Sequence, residues 1–209
     1  MRLRLLLILV GAAAVVATYT FPYWRPLLNT AAEEPFPGLP ANLQTAFVEQ
    51  LTREQQTTLL EMAEENREMA VALAAAALQP PVVMETEESP PDTTIAIAAT
   101  TGSFAPIDSI RWAQGTATVY QFPDNRKVLR LEDFQSANGP DLFVLLSASA
   151  APRTREEVEL SDLDLELGRL KANIGNQNYE IPPEIDLSLY NSVVIYCRAF
   201  NLVFSTATI

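Results

Sequence analysis

The chain has 209 residues, enough for one medium domain with appendages or two small ones. Charged residues make up 19% and apolar ones 48%, which excludes a disordered acidic tail and a multi-span membrane protein. With 26 Asp and Glu against 14 Lys and Arg, the net charge of −12 repels phosphate backbones and argues against a nucleic-acid partner.

Histidine is absent, so Ser–His and Cys–His catalysis, imidazole metal sites and His-ligated haem are excluded within this chain. Cys197 is the single cysteine, so no intramolecular disulfide can form. The charge is unevenly spread. Residues 1–29 carry Arg2, Arg4 and Arg25 with no acid, residues 30–99 carry 12 acids against Arg53 and Arg67, and residues 100–209 are mildly acidic.

The first block reads as a membrane anchor over residues 1–25. Leu5 to Phe21 is uncharged, and 17 residues in a helix span roughly 26 Å, the short end of a bilayer crossing. Tyr19, Tyr23 and Trp24 suit the headgroup layer, and Pro22 and Pro26 end the helix. Arg2 and Arg4 stay cytoplasmic under the positive-inside bias, which places the remainder outside. The alternative is a cleaved signal peptide with a site near Ala12-Ala13-Ala14, which would make the protein secreted.

Residues 40–78 read as an acidic helical segment. Leu43, Phe47 and Leu51 line one face at i, i+4 and i+8, and Thr52-Arg-Glu-Gln55 has the capping-box pattern for a second helix starting at Arg53. Leu59, Leu60, Met62, Ala63, Met69, Ala70, Leu73 and Ala77 continue the apolar stripe opposite Glu54, Glu61, Glu64, Glu65 and Glu68. This is a partner-binding hairpin or a spacer with a solvated acidic face. Pro80-Pro81, Glu85, Glu87, Glu88 and Pro90-Pro91 then mark residues 79–99 as an extended linker, with a domain boundary near Thr100.

Over residues 100–209 the hydrophobic period changes to 2. Thr116–Tyr120 and Lys127–Leu131 flank a Pro123-Asp-Asn125 turn, and Asp141–Ser147 is apolar on both faces and so central. Gly175–Ile181, Ser192–Arg198 and Leu202–Thr208 follow. About seven or eight short strands predict an antiparallel β-sandwich or barrel, so the fold class is mainly β, with the anchor and helical stalk preceding it.

Gly102-Ser-Phe104, Leu129-Arg-Leu-Glu-Asp-Phe134, Asn138-Gly-Pro-Asp-Leu142, Gly175-Asn-Gln-Asn-Tyr179 and Ile195-Tyr-Cys-Arg198 come in order. With Phe200 and Phe204, this series over residues 102–209 resembles the DM13 domain family, also called the electron-transfer DM13 domain. The resemblance implies a small extracytoplasmic β domain whose lone late cysteine serves redox work, as a free thiol or through a bound group such as haem. Cys197 occupies that position. Ser205 departs from the glycine that usually follows the Phe of the family's last strand.

Read from the residues alone, Cys197 has two roles open to it. As a redox thiol it would need to be reachable and deprotonated. As a core residue it would sit with Val193 and Ile195 on one strand face, leaving Val194, Tyr196 and Arg198 on the other. If haem were bound, the Cys197 thiolate would be one axial ligand, and solvent, a Tyr or another chain would have to supply the sixth. A lone extracytoplasmic thiol could also pair with another chain. Asp133, Asn138 and Asp141 read as turn-making residues, and Asp162, Asp164 and Glu166 lack the glycine and spacing of a calcium loop and read as a solvated strand or loop, so no metal site is expected.

Two functions follow from this sequence. One is a membrane-anchored extracytoplasmic redox or electron-transfer accessory acting through Cys197, with a protein partner or electron donor or acceptor. The other is a non-catalytic adhesion or ligand-binding module of the cell envelope with a buried structural cysteine.

Overall fold

A computed structural model describes residues 35–85, 87–88, 96, 98–159 and 164–209, together with residues 10–11, 15–16 and 18–20 near the N-terminus. Residues 1–35 and 36–209 form two units. In the first, residues 10–11, 15–16 and 18–20 are helical, and Val10, Val15, Val16 and Tyr19 are exposed. Among the described residues no helix is long and apolar enough to cross a membrane, and most of the expected anchor over residues 5–21 lies outside them.

The second unit opens with three helices, α1 (Ala41–Gln50), α2 (Arg53–Glu65) and α3 (Arg67–Ala77). Phe36 packs its ring 4.9 Å from that of Phe47, and the Gln44 amide bonds the Phe36 backbone on both sides, which fixes the entry into α1. The capping box is formed as the sequence predicts. Thr52 Oγ accepts from the Gln55 N–H, and the Gln55 side chain accepts from the Thr52 N–H. The apolar stripe that reads as continuous is broken at Asn66. Its extended backbone donates to the Met62 carbonyl, and its side chain caps α3 by accepting from the Met69 N–H. Leu59, Ala70, Leu73 and Ala74 are buried, whereas Leu60 is exposed.

Eight strands follow: β1 (Ala98–Pro106), β2 (Ala113–Gln121), β3 (Lys127–Ser136), β4 (Leu142–Ser147), β5 (Leu165–Arg169), β6 (Gln177–Ile181), β7 (Ser192–Cys197) and β8 (Leu202–Thr208). They pair antiparallel in the order β5-β4-β7-β8-β1-β2-β3-β6. The result is a nearly closed barrel, with β1 turning the corner. Ala98–Ser103 pair with β2, and Phe104–Pro106 pair with β8. Gly102 makes that corner feasible, because a Cβ there would lie 1.9 Å from the Thr208 carbonyl oxygen. The outer strands meet through side chains. The Lys171 N–H, just past β5, bonds the Gln177 amide oxygen and the Tyr179 hydroxyl of β6.

Strands β4 and β7 are buried along their whole length, as their two-sided apolar runs demand. One face, with Val144, Leu146, Val193, Ile195 and Cys197, joins the main core, which also holds Phe104, Phe134, Phe204 and the helix residues Phe47, Leu59 and Leu73. The other face, with Leu145, Val194, Tyr196 and Val203, forms a small second core with Val158 of the short helix α4 (Arg155–Glu159).

The segment read as an extended linker is held against the barrel between Val82 and Glu88. Asn173 N–H and Ile174 N–H donate to the Val82 carbonyl, Val82 N–H donates to the Asn173 side chain, and Met84 N–H donates to the Ile174 carbonyl. Gly175 allows the approach, since a Cβ there would sit 2.9 Å from the Met84 carbonyl oxygen. At the far end the Glu87 carboxylate accepts from Lys171 Nζ at 2.8 Å and from the Asn178 N–H at 2.6 Å. Arg130, only 3% exposed, donates to the Glu87 and Glu88 carbonyls.

Candidate functional site around Cys197

Cys197 ends β7 and faces two chain reversals. One is the Asn138–Asp141 loop that leads into β4, and the other is the Arg198–Asn201 turn into β8. Asp141 and Asn201 both take positive φ, 58° and 54°, which short polar residues tolerate in tight reversals. The Arg198 N–H donates to the Asp141 carbonyl and ties the two reversals together. Gly139 is required by crowding, because a Cβ there would meet the buried Phe204 ring at 2.5 Å.

The thiol is sealed in this corner. Cys197 has no exposed surface, and its Sγ donates to the Pro140 carbonyl at 2.8 Å. Burial pushes the thiol above its ordinary pKa. The Phe200 and Ala199 N–H groups pull the other way, and the negative charge of Asp141 adds to the rise. The neutral thiol is therefore the resting form at neutral pH.

Arg198 lies on the opposite face, as strand alternation predicts for neighbouring residues. Its guanidinium sits 4.0 Å over the Phe143 ring and bonds the Asp141 carboxylate at 3.3 Å and Glu166 at 3.6 Å. Arg169 bonds the same Asp141 carboxylate and approaches the same ring at 5.5 Å. Both cations are thus committed to Asp141 and Phe143.

The corner does not fit a haem. An axial thiolate would have to give up the Pro140 bond and carry charge where burial opposes it, with backbone packed over the sulfur. The other sequence candidates are dispersed. Asp133 takes a positive φ of 50°, and Asn138 donates to the Gln79 carbonyl at 2.6 Å. Asp141 is spent on two arginines, Glu166 contacts Arg198, and Asp162 lies outside the described residues. Among the described residues no three Cys, Asp or Glu side chains converge as metal ligands would.

Sequence reasoning missed the lid on the thiol. Asn138-Gly-Pro-Asp reads as a turn, and nothing local in it says that the Pro140 carbonyl would cover a sulfur 57 positions later. Beside the lid lies a cavity of ≈ 200 Å³ whose walls include Gly139, Asp141, Arg169 and Lys171.

Residues 107–209 match the family model described as Electron transfer DM13. The DM13 match takes in β2 to β8, the Asn138–Asp141 lid, α4 and Cys197, and leaves α1 to α3, the docked linker and β1 outside it. No curated protein and no solved structure matches the chain. The match covers the barrel region alone and suggests an electron-transfer-related module over residues 107–209.

Proposed function

We propose that the chain is a membrane-tethered, extracytoplasmic accessory module of electron-transfer systems in which Cys197 holds the barrel end together and does not itself carry electrons. The carrying observation is the sealed thiol: no exposed surface, a bond to the Pro140 carbonyl, and a pKa raised by burial. A working redox thiol needs access and a stabilised thiolate. The tether is residues 5–21, with Arg2 and Arg4 on the cytoplasmic side.

A second reading keeps Cys197 as the redox group behind a movable lid. Its support is the cavity beside the lid, which carries Arg169 and Lys171. With the Asn138–Asp141 loop swung away, the thiol would be reachable and would lose its proton to solvent. It would then attack the disulfide of a partner protein, R–S–S–R′. One S–S bond would break and one form, giving Cys197–S–S–R and the thiolate R′–S⁻, with no net electron requirement.

Replacing Cys197 by serine separates the two readings. Under the proposed function the variant keeps any redox signal of the full chain and is about 1–3 kcal/mol less stable, because the hydroxyl gains a new desolvation cost. Trapping of a partner by wild type but not by the serine variant would establish the second reading instead. The tether is tested by protease protection in membranes of the source cell, where a cytoplasmic barrel would overturn it.

A further inference from the structure

A cleft of ≈ 210 Å³ lies where the helices and the start of the docked linker meet β2 and β3. It shares Asn138 with the loop that covers Cys197 and otherwise has its own lining residues. Among the residues lining it none is charged, in a chain with a net charge of −12. Its walls combine the Trp112 indole with the Gln79, Gln135 and Asn138 amides, and Gln55 and Ile174 help frame the opening.

The hydrogen-bond state of these side chains shows what they still offer. The Gln55 amide accepts from Thr52 and donates to the Ser109 carbonyl, and Gln79 Nε2 donates to the Ala75 carbonyl at 3.5 Å. Gln135 uses its oxygen to accept from Gln114, which leaves its amide N–H groups available. Asn138 donates to the Gln79 carbonyl, which leaves its side-chain oxygen available. Among the described residues the Trp112 N–H has no hydrogen-bond partner, and the residue is only half buried. The lining thus carries neutral donors, a neutral acceptor and one aromatic residue.

Each ligand class can be weighed against that set. An anion would meet no cation in the walls and would be repelled by the net charge. A cation would find no carboxylate. A wholly apolar ligand would strip water from the amides and the indole N–H without replacing their hydrogen bonds. A neutral ring with hydroxyls on its rim and C–H groups on its face satisfies both halves of the wall. We propose that this cleft binds a neutral saccharide, one ring at a time. The volume is below the roughly 300–1,000 Å³ of pockets that enclose drug-sized ligands, so further sugar units would extend out of the mouth.

The test uses the full chain carrying Trp24→Phe, which leaves Trp112 as its single tryptophan. Emission is followed while the methyl glycosides of glucose, galactose and N-acetylglucosamine are added in turn, with glucuronate as the charged control. The expected result is a saturable shift with at least one neutral glycoside, in the millimolar range, and binding of glucuronate weaker by about tenfold. Gln135→Ala, at an exposed position, should melt as the parent does and bind the active glycoside about tenfold more weakly, the loss of one or two hydrogen bonds. Three neutral glycosides without a saturable response, equal binding of glucuronate, or full affinity in both Gln135→Ala and Asn138→Ala would each overturn the proposal.

Discussion

Glu87→Gln should release one end of the docked linker, and the size of the effect follows from the contacts. The carboxylate bonds Lys171 Nζ and the Asn178 N–H, with the two side chains 30% and 40% exposed. Burial alone would raise the Glu87 pKa. The Lys171 bond, the Asn178 N–H and the charges of Lys171 and Arg130 together outweigh it and hold the group below its ordinary value. A partly exposed ion pair contributes about 0–1 kcal/mol, and a hydrogen bond to a charged group adds to that. Glutamine keeps one acceptor oxygen, so the expected loss is about 0.5–1.5 kcal/mol, or roughly 2–4 °C in Tm per kcal/mol. Because the folded-state pKa is depressed, the stabilisation is fully present above the unfolded value of about 4.3 and disappears as pH falls through the folded value. Urea unfolding of wild type and variant from pH 7 downward should show a gap at pH 7 that narrows below about pH 4 and closes when Glu87 is protonated. A gap that stays constant across that range, or none at pH 7, would refute a charged clamp at Glu87.

Leu73→Ala, in the core shared by helices and barrel, should cost about 2–5 kcal/mol. It should shift far-UV circular dichroism and Trp112 fluorescence transitions together, and separation of the two would mean that the helices unfold on their own. Gly139→Ala forces a methyl group into the Phe204 ring and should cost about 1–3 kcal/mol by thermal melting, whereas an unchanged Tm would show the lid to be loose. Tyr179, whose pKa burial pushes up to about 12, should ionise after the more exposed tyrosines in an ultraviolet titration. Tyr179→Phe should remove that late step, and its persistence would assign it elsewhere.

Much of the barrel could be read from short-range pattern. The two-sided apolar run of β4 announced a central strand, and alternation along β7 placed Cys197 with Val193 and Ile195, as the main core shows. The Thr52–Gln55 capping box was legible because both of its bonds lie within four residues. The contacts that escaped are those between distant segments. A Pro-rich acidic stretch carries no periodicity, so nothing local revealed that Val82 would bond Asn173 and Ile174, or that Glu87 would meet Lys171. Asn66 was hidden inside an apolar stripe because a face-counting pattern does not register a side chain that bonds the backbone three residues on. At the candidate site the cysteine was legible as the single thiol of the chain, but its lid depended on a loop 57 positions upstream.

The sealed thiol is tested most directly by its rate of reaction in the native full chain. A small aromatic disulfide reagent added in excess at pH 8 releases a chromophore for each thiol it reaches. A Cys197 with no exposed surface and a raised pKa should react far more slowly than a free thiol, and should release one equivalent promptly once urea unfolds the chain. Release of a full equivalent from the native protein at the rate of a free thiol would contradict the structural role of Cys197.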